Sequence, residues 1–184
     1  MNVNVIIEAL RKRCPTFQKR FAGAAEWAGL TVEEAPPLPA AYVVPLREDA
    51  QENESEVSYY QVVDNVFGVI VLVDNVSDVR GQGAMSELEK LKKELFFALL
   101  GWQQEPFDEF SAVVYEGGNL LYMDDARVAW QFEFSFKTFL TTMDTYQHRY
   151  LAGLPEFQEI DGDVDKIAST EPVGQRETSF KVEV

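Results

Sequence analysis

The chain has 184 residues, 46% of them apolar, and a formal net charge of −15. That is enough apolar material for one packed domain and argues against wholesale disorder. The acidic balance argues against stable binding to a phosphate backbone or an anionic membrane surface, both of which rely on clustered Lys and Arg.

From the N-terminus, Val3, Ile6, Ile7 and Leu10 recur at helical spacing. Arg11, Lys12 and Arg13 complement the negative end of that helix, and Pro15 stops it. Thr16 to Phe21 reads as a short extended piece, and AGAAEWAGL as a short helix anchored by Trp27. Pro36, Pro37 and Pro39 form a rigid connector. AAYVVPL follows as a brief buried strand that Pro45 ends or places at a sheet edge. Arg47 to Ser58 has almost nothing to bury and reads as an exposed, mobile loop.

Val62 to Trp102 is the organising stretch. Val66 to Val73 has the β-branched density of a strand, and a short polar turn holds Asp78, Arg80, Gly81 and Gly83. Ala84, Leu88, Leu91, Leu95 and Leu99 then form one helical stripe, with Gly101 at the C-cap position. Phe110–Val114 and Asn119–Met123 read as two strands joined by a hairpin across Glu116-Gly117-Gly118. Arg127 to Phe136 alternates cleanly, with Val128, Trp130, Phe132, Phe134 and Phe136 on one side. The expected fold is α/β (α+β): a largely antiparallel or mixed sheet with helices on one face. Residues 1–140 form the domain, and residues 141–184 an acidic extension that orders against a partner.

Chemistry-bearing patterns are sparse. Gly81-Gln82-Gly83 matches neither phosphate-loop spacing, so a tight strand-to-helix turn is the simpler account. Asp161, Asp163 and Asp165 resemble the start of a calcium loop, but Lys166 and Pro172 stand where Gly and Glu are needed. His148 is the single histidine and Cys14 the single cysteine, so no His/Cys metal cluster can form and no disulfide within the chain. Cys14 reads as a small core residue and His148 as a surface one. No catalytic residue, cofactor or metal is assigned. MNVNVIIEALRKR lacks the order of a signal peptide, and no apolar run could span a bilayer, so a soluble, intracellularly made protein is expected.

The order of segments resembles the tail terminator proteins of long-tailed bacteriophages and prophages. The matching pieces are the helix ending near Arg13, FAGAAEWA (Phe21–Ala28) and PAAYVVPL (Pro39–Leu46). The apolar strand with Asp78-Val79-Arg80-Gly81, ALLGW (Ala98–Trp102) and YEGGNLLYMDDARVAWQFEF (Tyr115–Phe134) complete them. They cover roughly residues 1–140. The resemblance implies a hexameric ring that caps the head-proximal end of the tail tube, ends its growth and offers a docking surface to the neck. Implied partners are sister subunits, the tail tube protein and neck or head-connector proteins, with DNA crossing the lumen unbound and no membrane involved. Arg47, Glu48, Asp49 and Glu52 are expected at the tube, and Asp78, Arg80 and Gly81 near a subunit contact. Competing readings are another neck or head–tail joining protein, an acidic protein-binding or DNA-mimic module, and an unrecognised hydrolase.

Overall fold

The computed structural model describes residues 1–29, 36–75, 82–155, 159–165 and 176–183, the last two ranges as backbone. Helix α1 (Val3–Arg13) is followed by strand β1 (Phe21–Gly23), helix α2 (Ala24–Ala28) and strand β2 (Ala40–Ala50). Strand β3 (Tyr60–Asp74), helix α3 (Gln82–Leu99), strand β4 (Val114–Met123) and strand β5 (Arg127–Thr141) complete the first unit, Met1–Met143. The sheet order is β1-β2-β3-β5-β4, with β1 parallel to β2 and every other pair antiparallel.

The sheet's middle strand is β3, covered on both faces, which is why Val66–Val73 is a continuous apolar run and not an alternating one. On one face, Phe67, Val69, Val71 and Val73 of β3 meet Val128, Phe132, Phe134 and Phe136 of β5. Ile6, Ile7 and Leu10 of α1 and Leu88, Leu91, Leu95 and Leu99 of α3 close over them. The two helices are tied together where Arg13 Nη1 donates to the Ala98 carbonyl at 2.7 Å and its guanidinium lies 4.8 Å from the Trp102 ring. Past Leu99 the chain turns through Gly101 at φ +74°, a left-handed conformation suited to glycine.

The other face is not bare. Ala40, Tyr42, Val44, Ile70, Leu72 and Ala129 form a second, smaller core, and Trp27 of α2 packs on it between Tyr42 and Tyr122. Helices therefore lie on both faces, contrary to the one-faced arrangement expected. Helix α2 is too short to carry a periodic signal, and the anchoring role of Trp27 is what reveals its side.

Three further expectations are corrected. Thr16 to Phe21 is not extended throughout: Pro15–Phe17 is a 3-10 turn, and Gln18 and Lys19 take left-handed conformations before β1. Pro45 does not end its strand; β2 runs on to Ala50, with Pro45 opposite Phe67 and a bulge at Leu46. It does lie at a sheet edge, because β1 pairs only as far as Val43. No hairpin crosses Glu116-Gly117-Gly118: β4 is one strand in which Gly117 and Gly118 pair with Glu133 and Phe132, and the register shifts fall at Glu116 and Leu121.

The second unit, Asp144–Val184, holds helix α4 (Tyr146–Leu151) and the antiparallel strands β6 (Glu159–Asp165) and β7 (Arg176–Glu183). Thr145 caps α4, its side chain accepting from the His148 N–H at 3.2 Å. Strands β6 and β7 pair with Ile160 opposite Val182 and Gly162 opposite Phe180. Asp161, Asp163 and Asp165 belong to this extended strand and not to a ligand loop.

Candidate functional site

Two surfaces of the first unit stand out. The first is the ribbon made where β2, β3 and β5 run on past the ends of β1 and β4. Leu46 to Ala50 of β2 are all exposed, facing Val63–Val66 of β3, which in turn faces Ser135–Thr138 of β5. The bulge at Leu46 shifts the pleat by one residue. It puts Arg47 and Asp49 on the face of Val66 and Asp64, and Glu48 on the opposite face with Asn65. There Glu48 Oε2 comes within 3.8 Å of the N-terminal amino group. Arg47 pairs with Asp49, Lys137 Nζ lies 4.0 Å from Asp64, and Gln51 Nε2 donates to Asp64 at 2.7 Å.

The ribbon is closed by residues 51–59, which bond internally instead of burying apolar surface. Asn53 Oδ1 accepts from the Tyr60 N–H at 2.9 Å, and Asn53 Nδ2 donates to the Ser55 carbonyl at 2.8 Å. Ser55 and Ser58 hydroxyls lie 2.7 Å apart. Below the tip, the Tyr60 and Phe139 rings stack at 6.3 Å, and buried Asn65 donates to the Thr138 hydroxyl at 2.9 Å. The expected loop at Arg47–Ser58 is thus exposed, but its first four residues are strand and its tip is hydrogen-bonded. Of the four residues expected at the tube, Arg47, Glu48 and Asp49 sit on β2 and Glu52 in the closing turn, all exposed. Asp78, Arg80 and Gly81 lie outside the described residues.

The second surface is a cleft of about 200 Å³ between α3 and the edge strand β4. Met85, Glu89 and Lys92 of α3, Tyr115 and Gly118 of β4 and Trp130 of β5 line it. Lys92 Nζ lies 5.6 Å from the Phe96 ring centre and 5.8 Å from that of Tyr115, and only 3.8 Å from Glu89 Oε1. Trp130 Nε1 is buried with no hydrogen-bond partner. The Tyr115 hydroxyl is held above its ordinary pKa, chiefly by burial and further by Glu89 and Glu133. Nothing in the sequence marks this cleft: the residues come from three elements, and Trp130 reads along the chain only as a member of the β5 core stripe.

Elsewhere, Cys14 is fully buried, and burial pushes its thiol up to about 12, with Glu94 adding and Arg13 opposing. Among the described residues no group of three His, Cys, Asp or Glu side chains is placed to hold a metal ion, and no helix is long and apolar enough to cross a membrane.

Fold and surface together describe an α+β domain with a projecting charged ribbon and an edge cleft. The chain belongs to the phage tail terminator family: the family model described as phage tail terminator protein matches residues 1–145. That family consists of structural virion proteins of the phage tail. One solved structure is 18% identical over 75% of this chain and 96% of its own, with a TM-score of 0.40. No curated protein matches the chain.

Proposed function

We propose that this protein is a tail terminator subunit without catalytic function or cofactor. Six copies form a ring on the head-proximal end of the tail tube, end tube growth and present a docking surface to the neck proteins. The family match over residues 1–145 carries this reading. Two physical features support it. A net charge of −15 lets DNA cross a lumen without adhering, since adhesion requires clustered cations. The ribbon supplies an exposed, hydrogen-bonded element for a second ring, with Arg47, Glu48, Asp49 and Glu52 facing the tube.

In this reading Asp78, Arg80 and Gly81 lie near the contact between sister subunits. Residues 1–140 are the ring-forming domain, and residues 141–184 an extension to it. The protein assembles in the host cytoplasm and stays in the virion.

Electron microscopy of a lysate in which the gene carries an early stop codon tests this. Abnormally long tubes unattached to filled heads are expected. Tails of normal length beside separate heads would assign the protein to the neck instead, and intact infectious particles would overturn both. Charge reversal of Arg47 or Arg80 to Glu is expected to impair capping or ring formation respectively.

A further inference from the structure

The α3–β4 cleft and the most exposed aromatic side chain among the described residues fit one another. Phe97, in α3, is 92% exposed, although its neighbour Phe96 packs on Tyr115 and Phe134. A single exposed apolar residue needs no explanation by itself. What the cleft offers gives it one.

One cation on the cleft wall favours an aromatic face. The Lys92 ammonium already lies over two rings, and a third would extend the same cation–π attraction. Glu89 at the rim disfavours an anionic occupant, which would otherwise be drawn to Lys92. The volume, about 200 Å³, suits a phenyl ring, since an apolar cavity of about 150 Å³ takes up benzene.

Phe97 cannot fill the cleft of its own chain. At about 100° per residue it lies roughly 140° around α3 from Lys92. It therefore points away from the cleft that Met85, Glu89 and Lys92 line. A contact joining two different patches of identical chains is heterologous, the kind that closes into a ring or runs on as a filament.

We propose that Phe97 of one copy inserts into the α3–β4 cleft of the next, as a subunit contact of the ring. The proposal rests on the ring reading above. It adds a named knob and socket, both within the described residues.

Thiol cross-linking of the full-length chain tests it. Native Cys14 stays silent, being fully buried with a thiol that resists ionisation. One chain carries Lys93→Cys, one helical turn from an intact Phe97, and another Glu89→Cys at the cleft rim; both positions are exposed, so folding is spared. Treated with a short bis-maleimide, the mixture is expected to give a cross-linked heterodimer and each chain alone little product. Adding Phe97→Ala to the Lys93→Cys chain should abolish the product. Phe107→Cys, exposed on a loop, should not replace Lys93→Cys. Rings seen by sedimentation with no such heterodimer, or cross-linking through position 107 instead, would overturn the contact and leave the ring reading standing. Chains that remain monomeric both alone and on tail tubes would overturn both.

Discussion

Asp49 of β2 and Asp64 of β3 stand directly opposite each other across the ribbon, two carboxylates in one cross-strand pair. Like charges so placed destabilise a sheet by a few tenths to about 1 kcal/mol. The flanking cations offset this: Arg47 pairs with Asp49, and Lys137 lies beside Asp64. Asp64→Asn should therefore raise the urea midpoint of unfolding, and Lys137→Glu lower it. Both shifts should shrink in high salt, because these groups are partly exposed. An unchanged midpoint in both variants at low salt would show that solvent already screens the row.

Two adjacent stretches of α3 should respond very differently to truncation. Leu95 is fully buried between α1 and the sheet, so Leu95→Ala should cost about 2–5 kcal/mol in denaturant unfolding. Phe97→Ala should change the stability of the isolated chain by less than about 0.5 kcal/mol. Its effect is expected in assembly, so sedimentation and unfolding must be measured on the same preparation.

Gly101 and Gly118 should fail for different reasons. At Gly101, φ is +74° and nothing lies within 4 Å of an added Cβ, so Gly101→Ala meets only the left-handed penalty, about 1–2 kcal/mol. At Gly118 a Cβ would sit 2.8 Å from Trp130 Nε1 and 2.9 Å from the Gln131 carbonyl oxygen. The carbonyl is backbone and cannot step aside, so Gly118→Ala should cost about 1–3 kcal/mol and shift the fluorescence of Trp130. Equal losses with unchanged fluorescence would argue against the close approach.

Alkaline pH should weaken the fold. Cys14 ionises near 9.0 in the unfolded chain but near 12 in the folded one, so between those values the folded state holds more protons. Stability is then fully present below about pH 9 and falls as pH rises toward 12. Tyr42, Tyr115 and Tyr122, each raised first by burial, act in the same direction. The slope of unfolding free energy against pH should be shallower in Cys14→Ala. A thiol reagent should leave the native chain unmodified and label it once urea unfolds it. Rapid labelling without denaturant would contradict the burial of Cys14.

Local and periodic features are legible in the amino-acid sequence by itself. The stripe of α3, the alternation of β5, the helix at Val3–Arg13 and the turn at Gly101 each depend on residues within a few positions of one another. Hydrophobic spacing records which side of an element is buried, and the order of such elements suffices for the family resemblance. The charge balance, too, belongs to the sequence alone.

Only the tertiary structure decided what depends on neighbours distant in the chain. Glu116-Gly117-Gly118 has the composition of a turn, yet pairing with β5 holds it as a bulged edge strand. Pro45 lacks an N–H, yet β2 continues past it because pairing with Val63–Val66 of β3 carries the ribbon outward. The bulge at Leu46 set the faces of Arg47, Glu48 and Asp49, since one inserted residue inverts a two-residue repeat. The cleft joins Lys92, Tyr115 and Trp130 from three elements, and no spacing in the chain encodes that meeting. It follows from α3 packing its apolar stripe on the sheet, which brings Phe96 and Lys92 against Tyr115 of the largely exposed edge strand.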